Sequence, residues 1–409
     1  MALAANQESP LPLPLAGLRV LDLTHYIAGP YCTKLLADYG ADVIKVERPD
    51  GGDPARRLGP FLRGEPHLEG SGLFLHLNTN KRSITLNLKT EAAKNVLLAL
   101  VRESDVLVES FAPRVLPSLG LGYDPFRAGN PRLVMTSISN FGQTGPYRDY
   151  KMSEITLYAM GGTMHSTGEE EREPVKLGLT VEQFYCGMVA ASATMGASVA
   201  ALRHGTGQHL DLSLFEFMVG SQDRAVTALT AYQYTGNALQ RRGAETGGGL
   251  SPVYPVADGY VQFFSLQRVA DRVFRMIDRP DLIEDRAAKD LSDPEQRAAF
   301  NQLLLEWIVQ RTKQEVMEKA QSVGLFCGAV NSVADVFEDP HLRSRGFFAE
   351  IDHPYSGRLR YPGLPFILTR SPGRPGRAPL LGEHSRQVLS GRLGYGVEDI
   401  TSLREQGAI

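Results

Sequence analysis

The residues whose types and spacing could do chemistry stand at the ends of short apolar runs. Asn78-Thr79-Asn80-Lys81-Arg82-Ser83 sets two amides and two cations just ahead of the strand-like SITLNL. Arg48 follows ADVIKV, and His25 follows LRVLDLT. Lysine and arginine at such positions suit phosphate or pyrophosphate groups, which they meet as point charge or forked donor. A solvated basic turn, with Arg82 pairing a surface acid, fits the same spacing. His25 alone serves equally as a ligand contact or as a turn residue. Gly247-Gly248-Gly249 suits a mobile loop over a site and also a flexible surface linker. Cys186 lies in an apolar stretch and reads as core, not as nucleophile.

Several common chemistries are excluded. The chain has no GxxxxGK[ST] phosphate loop, no HExxH and no GxSxG. Gly120-Leu121-Gly122 lacks the third glycine of a dinucleotide fingerprint. The nine histidines show no metal spacing, so no metal is expected. With 43 basic and 46 acidic residues, net charge is −3, and nothing points to nucleic acid. A local basic cleft for an anionic small molecule is compatible with that balance. Cys32, Cys186 and Cys327 are far apart with no CxxC pair, which disfavours disulfides and fits a reducing cytoplasm. The first residues lack the basic and apolar regions of a signal peptide. The most apolar run, 187–202, is rich in small residues and too short for a strongly apolar span, so it predicts a buried helix and no membrane.

The elements that must position these residues follow from periodicity. Leu18–Thr24 reads as a buried strand, 31–39 as a helix closed by Gly40, and 41–46 as a second strand: a βαβ unit. Residues 83–88 alternate as a strand should. Thr90 can cap a helix to about Arg102, with Val96, Leu97, Leu100 and Val101 on one face. Further strands are expected at 105–109 and 133–137. Strands alternating with helices predict a doubly wound, Rossmann-like parallel sheet. Ligands in such sheets bind beyond the carboxyl ends of the strands, here Thr24-His25, Glu47-Arg48 and Ser110-Phe111. YVQFFSL and the charged helical stretch over 269–322 form a smaller α+β domain, with Trp307 assigned to its core. The length of 409 residues suits two domains. The expected organisation is 1–224 for the large domain, 225–330 for the small one, and 331–409 as a return linker plus the C-terminal part of the large domain. Forty-one glycines and 25 prolines imply many turns.

The motifs in order resemble those of the family III CoA-transferases, also called the carnitine dehydratase/bile-acid-inducible (CaiB/BaiF) family. They are LAGLRVLDLTHYIAGPYCTKLLADYGADVIKVERPDGGDPAR, LNTNKRSITLNLK, DVLVESFAP, FGQTGPYRD, GTGQHLDLSLFE, FEDPHLRSRGFF and PLLGEHSRQVL. The resemblance covers nearly the whole chain. It implies a Rossmann-like α/β large domain taking in both chain ends, a small domain between them, and an interlocked-ring dimer. It also carries coenzyme A contacts to His25, Tyr26, Arg48, Leu77, Lys81, Phe111 and Lys151, and Glu154 to a place lining the active site. Ser110 stands where the family has Asn, and Ser118 where an Arg is common; Arg114 is the expected compensation.

Family transferases form a mixed anhydride and then an enzyme–CoA thioester on an Asp carboxylate. That Asp follows a Pro-x-x-x-Gly stretch and stands four residues before a glycine. Counting from Pro174 and back from Gly187 both put Gln183 there. A neutral amide cannot form the anhydride. Glu182 is adjacent but, on a helix, about 100° away. The racemase branch's GHD segment corresponds to Met152-Ser153-Glu154, without its His.

The resemblance therefore implies a non-catalytic subunit of a heteromeric transferase, completed by a homologous catalytic chain. That assembly would move CoA from an acyl-CoA, with succinyl-CoA as candidate donor and benzylsuccinate as candidate acceptor. A self-sufficient transferase using Glu182, a CoA-binding scaffold without chemistry, and a CoA-linked lyase or hydratase are the other readings.

Overall fold

The structure is a computed structural model describing residues 11–220, 223–238, 240–241, 253–264 and 269–409. Its central feature is a six-stranded, all-parallel sheet in the order β3-β2-β1-β4-β5-β6. The strands are β1 (Arg19–Leu23), β2 (Asp42–Glu47), β3 (Arg82–Thr85), β4 (Val106–Glu109), β5 (Val134–Ser139) and β6 (His209–Ser213). β6 lies in GQHLDLS, a segment that strand patterning did not single out, because His209 and Asp211 are exposed and only Leu210 and Leu212 are apolar.

Helices cover both faces. α1 (Ala28–Asp38) follows β1, beginning three residues earlier than periodicity indicates. α2 (Glu91–Arg102) is capped by Thr90, whose hydroxyl accepts from Ala93 N–H at 3.2 Å. Its Val96, Leu97, Leu100 and Val101 pack with Leu21, Leu23, Ile44, Leu107 and Met135 on one sheet face. α3 (Tyr123–Gly129) contributes Phe126 to the same core. On the other face α5 (Val181–His204) packs along α1 and β5; α4 (Glu154–Met160) precedes it. α5 is long and apolar enough to cross a membrane by length and composition, and its Cys186, Gly187, Ala190, Ala191, Thr194 and Ala197 are buried. Its outer side differs from a wholly buried helix: Tyr185, Val189, Val199 and Leu202 are exposed.

The chain divides into two compact units, 1–163 with 176–237 and 346–409, and 164–175 with 238–345. The first holds the parallel sheet and an antiparallel hairpin, β10 (Phe348–His353) with β11 (Gly357–Pro362). The second holds an antiparallel sheet, β7 (Val253–Val256), β8 (Gly259–Phe264) and β9 (Phe326–Ala329), packed on helices over 270–276, 294–308 and 313–322. Trp307 is at the edge of that core, half-buried, with the Arg311 guanidinium 3.8 Å from its ring centre. The three cysteines are free and buried. Among the described residues, no group of three or more His, Cys, Asp or Glu side chains is placed to hold a metal. Gly247, Gly248 and Gly249 lie outside the described residues.

Candidate functional site at the sheet's switch point

Strand order reverses between β1 and β4, and their carboxyl ends open a crevice where α/β sheets bind ligands. A cleft of about 560 Å³ stands there. His25 and Tyr26 after β1, Ser110, Phe111 and Arg114 after β4, and Ser139 at the end of β5 line it. Arg148, Asp149, Lys151 and Gln183 complete its rim and wall.

The β1–α1 turn is built from below by buried charge. Asp22, on β1, accepts hydrogen bonds from Thr24 N–H (2.9 Å), Thr33 Oγ1 (2.7 Å) and Lys81 Nζ (2.9 Å). Burial by itself would raise its pKa, but Lys45 and Lys81 outweigh that and hold the carboxyl well below the usual range. Lys45 donates to the Thr24 carbonyl and pairs Asp53, each at 2.9 Å. Asp53 in turn accepts from Tyr26 N–H at 3.1 Å. That bond holds Tyr26 in a left-handed conformation (φ 65°), unusual for a bulky residue, and leaves its side chain half-exposed in the cleft. Gly29 permits the turn: a Cβ there would lie 2.4 Å from Thr24 Cβ.

His25 packs edge-on against Phe111, ring centres 5.2 Å apart, and its N–H donates to Ser110 Oγ at 2.9 Å. Burial, then the Lys45 charge, lowers its pKa. Arg114 makes a two-point pair with Asp149, which also accepts from Arg148 at 3.1 Å. Counting Lys151, the rim carries three cations against one carboxylate, a surplus that suits an anionic ligand.

Five sequence-derived CoA candidates are therefore brought together: His25, Tyr26, Phe111, Arg114 and Lys151. Three are not. Lys81 is 3% exposed, and its ammonium is consumed by Asp22, the Pro30 carbonyl (2.9 Å) and Asn78 Oδ1 (2.8 Å); burial lowers its pKa to about 8. Most of the Asn78–Ser83 turn is therefore buried rather than facing the cleft or solvent. Asn78, Thr79 and Lys81 are internal, and only Arg82 behaves as the plainer alternative expects, pairing Asp42. Leu77 is buried in the core. Arg48 is exposed after β2 and outside the cleft lining, although its charge reaches His25. Sequence patterning missed Ser139 and Arg148; the signal was available in their places at the end of β5 and in GPYRD.

α5 presents Gln183 to the cleft. Glu182 is absent from the lining and only 2% exposed, and its N–H donates to Glu154 Oε1 at 3.1 Å. Glu154 thus covers an unsatisfied amide at the first turn of α5. It braces the helix and is not itself part of the cleft lining. Gly187, one turn beyond Gln183, lets α5 close on α1.

A 3-2-1-4-5-6 parallel sheet with a cation-rimmed cleft at its switch point is the arrangement of a doubly wound α/β protein. The sequence profile described as CoA-transferase family III matches residues 15–385, and the chain belongs to that family. It is 37% identical to a formyl-CoA:oxalate CoA-transferase of Streptomyces avermitilis, over 97% of this chain and 99% of the relative. It is 32% identical to a succinyl-CoA–D-citramalate CoA-transferase of Chloroflexus aurantiacus, over 97% and 98%. A CaiB/BaiF family protein from Brucella suis has a similar structure, with a TM-score of 0.82 and 31% identity over 93% of this chain and all of that one.

Proposed function

We propose that this chain is the nucleophile-free subunit of a family III CoA-transferase, holding an acyl-CoA in the switch-point cleft while a homologous chain supplies the Asp. The observation that carries this reading is the contrast on α5: Gln183 lines the cleft, and the buried Glu182 does not. A Gln amide has no anionic oxygen with which to attack a thioester. Its NH₂ and C=O can still hydrogen-bond an acyl group. The self-sufficient reading needs Glu182 to leave its buried place and turn about 100° around the helix.

The cation surplus at the rim supports CoA, whose pyrophosphate and 3′-phosphate it would offset. The relatives' names support small mono- and dicarboxylic acids and their thioesters. Succinyl-CoA fits that class as donor, and benzylsuccinate, itself a dicarboxylic acid, fits it as acceptor. The exposed Tyr185, Val189, Val199 and Leu202 of α5 support a partner chain packed there, as an interlocked dimer requires. A soluble assembly in the cytoplasm follows from the same reading.

The test is covalent trapping. The chain, alone and with its homologous neighbour, is incubated with acyl-CoAs, treated with borohydride or hydroxylamine, and mapped by mass spectrometry. Label on the partner's Asp and none on this chain is the expected result. Label on Glu182 overturns it in favour of a self-sufficient enzyme. CoA binding without turnover beside every homologue favours a scaffold.

A further inference from the structure

Glu109 ends β4, directly behind the cleft wall formed by Ser110 and Phe111. It is 4% exposed, and its Oε2 accepts the Phe111 N–H at 2.7 Å. No cation is among the groups acting on it: the one charged neighbour that bears on it is another acid, Asp211. Burial, above all, raises its pKa to about 7.

The register continues this contact across the sheet. Ser137 of β5 pairs with Glu109 in register and is buried, and its hydroxyl bears on the Glu109 carboxyl. Ser137 Oγ is also 2.9 Å from Nε2 of His209, which begins β6. The His209 ring is exposed and stacks on Tyr123 at 5.3 Å. The ionisable groups facing this chain are Asp211 on β6 and Tyr123 and Asp124 on α3. β1 offers Leu23, in register with Glu109, while α2 and the C-terminal helices present Val96, Leu97, Leu100, Val388, Leu389 and Leu403.

We infer that Glu109, Ser137 and His209 form a proton-exchanging chain, in which the protonation of Glu109 positions the Ser110–Phe111 wall and governs how tightly the cleft holds an anionic ligand. In one state Glu109 carries the proton and donates to Ser137 Oγ, whose hydroxyl donates to neutral His209. Transfer breaks the Glu109 O–H bond and forms a new O–H bond on Ser137. It also breaks the original Ser137 O–H bond and forms N–H on His209 Nε2. The products are a carboxylate and an imidazolium, and the exposed imidazolium releases its proton to water. A neutral Glu109 tolerates phosphates beyond the wall; an ionised one repels them and grips the Phe111 N–H more strongly. Glu109 is a positioning residue, since Phe111 and Ser110 stand between it and the cleft.

The ligand half of this inference rests on the CoA reading above, so the test has two arms. Infrared spectra of the full chain at about pH 6 should contain a protonated-carboxyl band that fades as pH rises through about 7 and is missing from Glu109→Gln. No band lost on substitution overturns the proposal, whether or not CoA binds. In the second arm CoA is titrated calorimetrically into both proteins. From about pH 6 to about pH 8 the wild-type affinity should fall about tenfold relative to Glu109→Gln, the order expected for one buried charge acting on phosphates. CoA's own phosphate titration is common to both proteins and cancels in the ratio. A constant ratio overturns the control of affinity. Failure of both proteins to bind CoA counts against the CoA reading, and the infrared arm still decides Glu109. Ser137→Ala should keep the carboxyl band but remove the Glu109 inflection from the NMR titration of His209. An inflection that survives overturns the relay, even where Glu109→Gln does not fold.

Discussion

Gly187 meets the carbonyl oxygen of Ala28 so closely that a Cβ at 187 would stand 2.6 Å from it and 3.1 Å from Tyr31 Cβ. The contact brings α5 down onto the N-terminal turn of α1, and one turn back along α5 that closeness puts Gln183 in the cleft. The four-residue spacing between the two positions is one helical turn: the glycine sets the approach, and the earlier residue uses it.

Gly187→Ala should therefore act on both stability and site. Helix propensity alone favours alanine by up to about 1 kcal/mol. The clash is with backbone oxygen, which cannot rotate away, and overpacking of this kind costs about 1–3 kcal/mol. Thermal unfolding should show a net lowered Tm, and calorimetry a weaker CoA affinity. A variant as stable as wild type would mean that α5 sits further from α1.

Gln183→Asp restores a carboxylate where the cleft is otherwise lined. Incubated with succinyl-CoA or formyl-CoA, this variant should accumulate an enzyme-bound CoA thioester visible as added mass on the peptide spanning 181–204. Wild type and Glu182→Gln should show none. If Gln183→Asp stays unlabelled with every acyl-CoA while still binding CoA, more than the nucleophile has been lost from the site.

Two lysines that look alike in sequence should separate cleanly. Lys81 is locked to Asp22, so Lys81→Met leaves that buried carboxylate to the more distant Lys45, 3.9 Å away, and should destabilise the fold by about 3 kcal/mol in chemical denaturation. Lys151 stands exposed on the cleft rim, and Lys151→Ala should leave stability within about 0.5 kcal/mol. It should weaken CoA binding and flatten its salt dependence. The reverse assignment of effects would return Lys81 to the ligand.

These two residues also mark what a sequence carries and what it does not. Short apolar runs announced β1 to β5, and the doubly wound order followed, because a right-handed βαβ chain leaves few alternatives. The strand ends at His25 and Phe111 are cleft residues for that topological reason. Lys81 had the right charge beside the right strand, but burial decides the partner of a charge, and burial depends on neighbours such as Asp22 and Pro30 that are distant in sequence. Gln183 was legible by spacing to Gly187. Glu154 supports α5 through a contact spanning 28 residues, and nothing local to it signals that contact. Glu109 was hidden for the opposite reason: VLVE is a good strand, and its carboxyl matters only because β5 and β6 lie beside it.

Stability against pH tests the buried acids in opposite directions. Asp22, Glu47 and Asp53 are all strongly buried, which alone would raise their pKa values. Lys45, Lys81 and Arg56 reverse that, so the folded values lie below the unfolded ones. Their stabilisation is present above about pH 4 and is lost as pH falls through the folded values. Glu109 is raised to about 7, so between about 4.5 and 7 the folded state holds a proton that the unfolded state has released. Stability then falls as pH rises through that window, by roughly 2–3 kcal/mol for this one group. His25 and His76, lowered chiefly by burial, tilt the curve the other way over part of the same range. The informative quantity is therefore the difference between wild type and Glu109→Gln. Urea unfolding at about pH 5 and about pH 8 should show the variant gaining on wild type by roughly 2–3 kcal/mol at the higher pH. Parallel curves would mean that Glu109 is already ionised at pH 5 and that its carboxylate has a compensating donor besides Phe111 and Ser137.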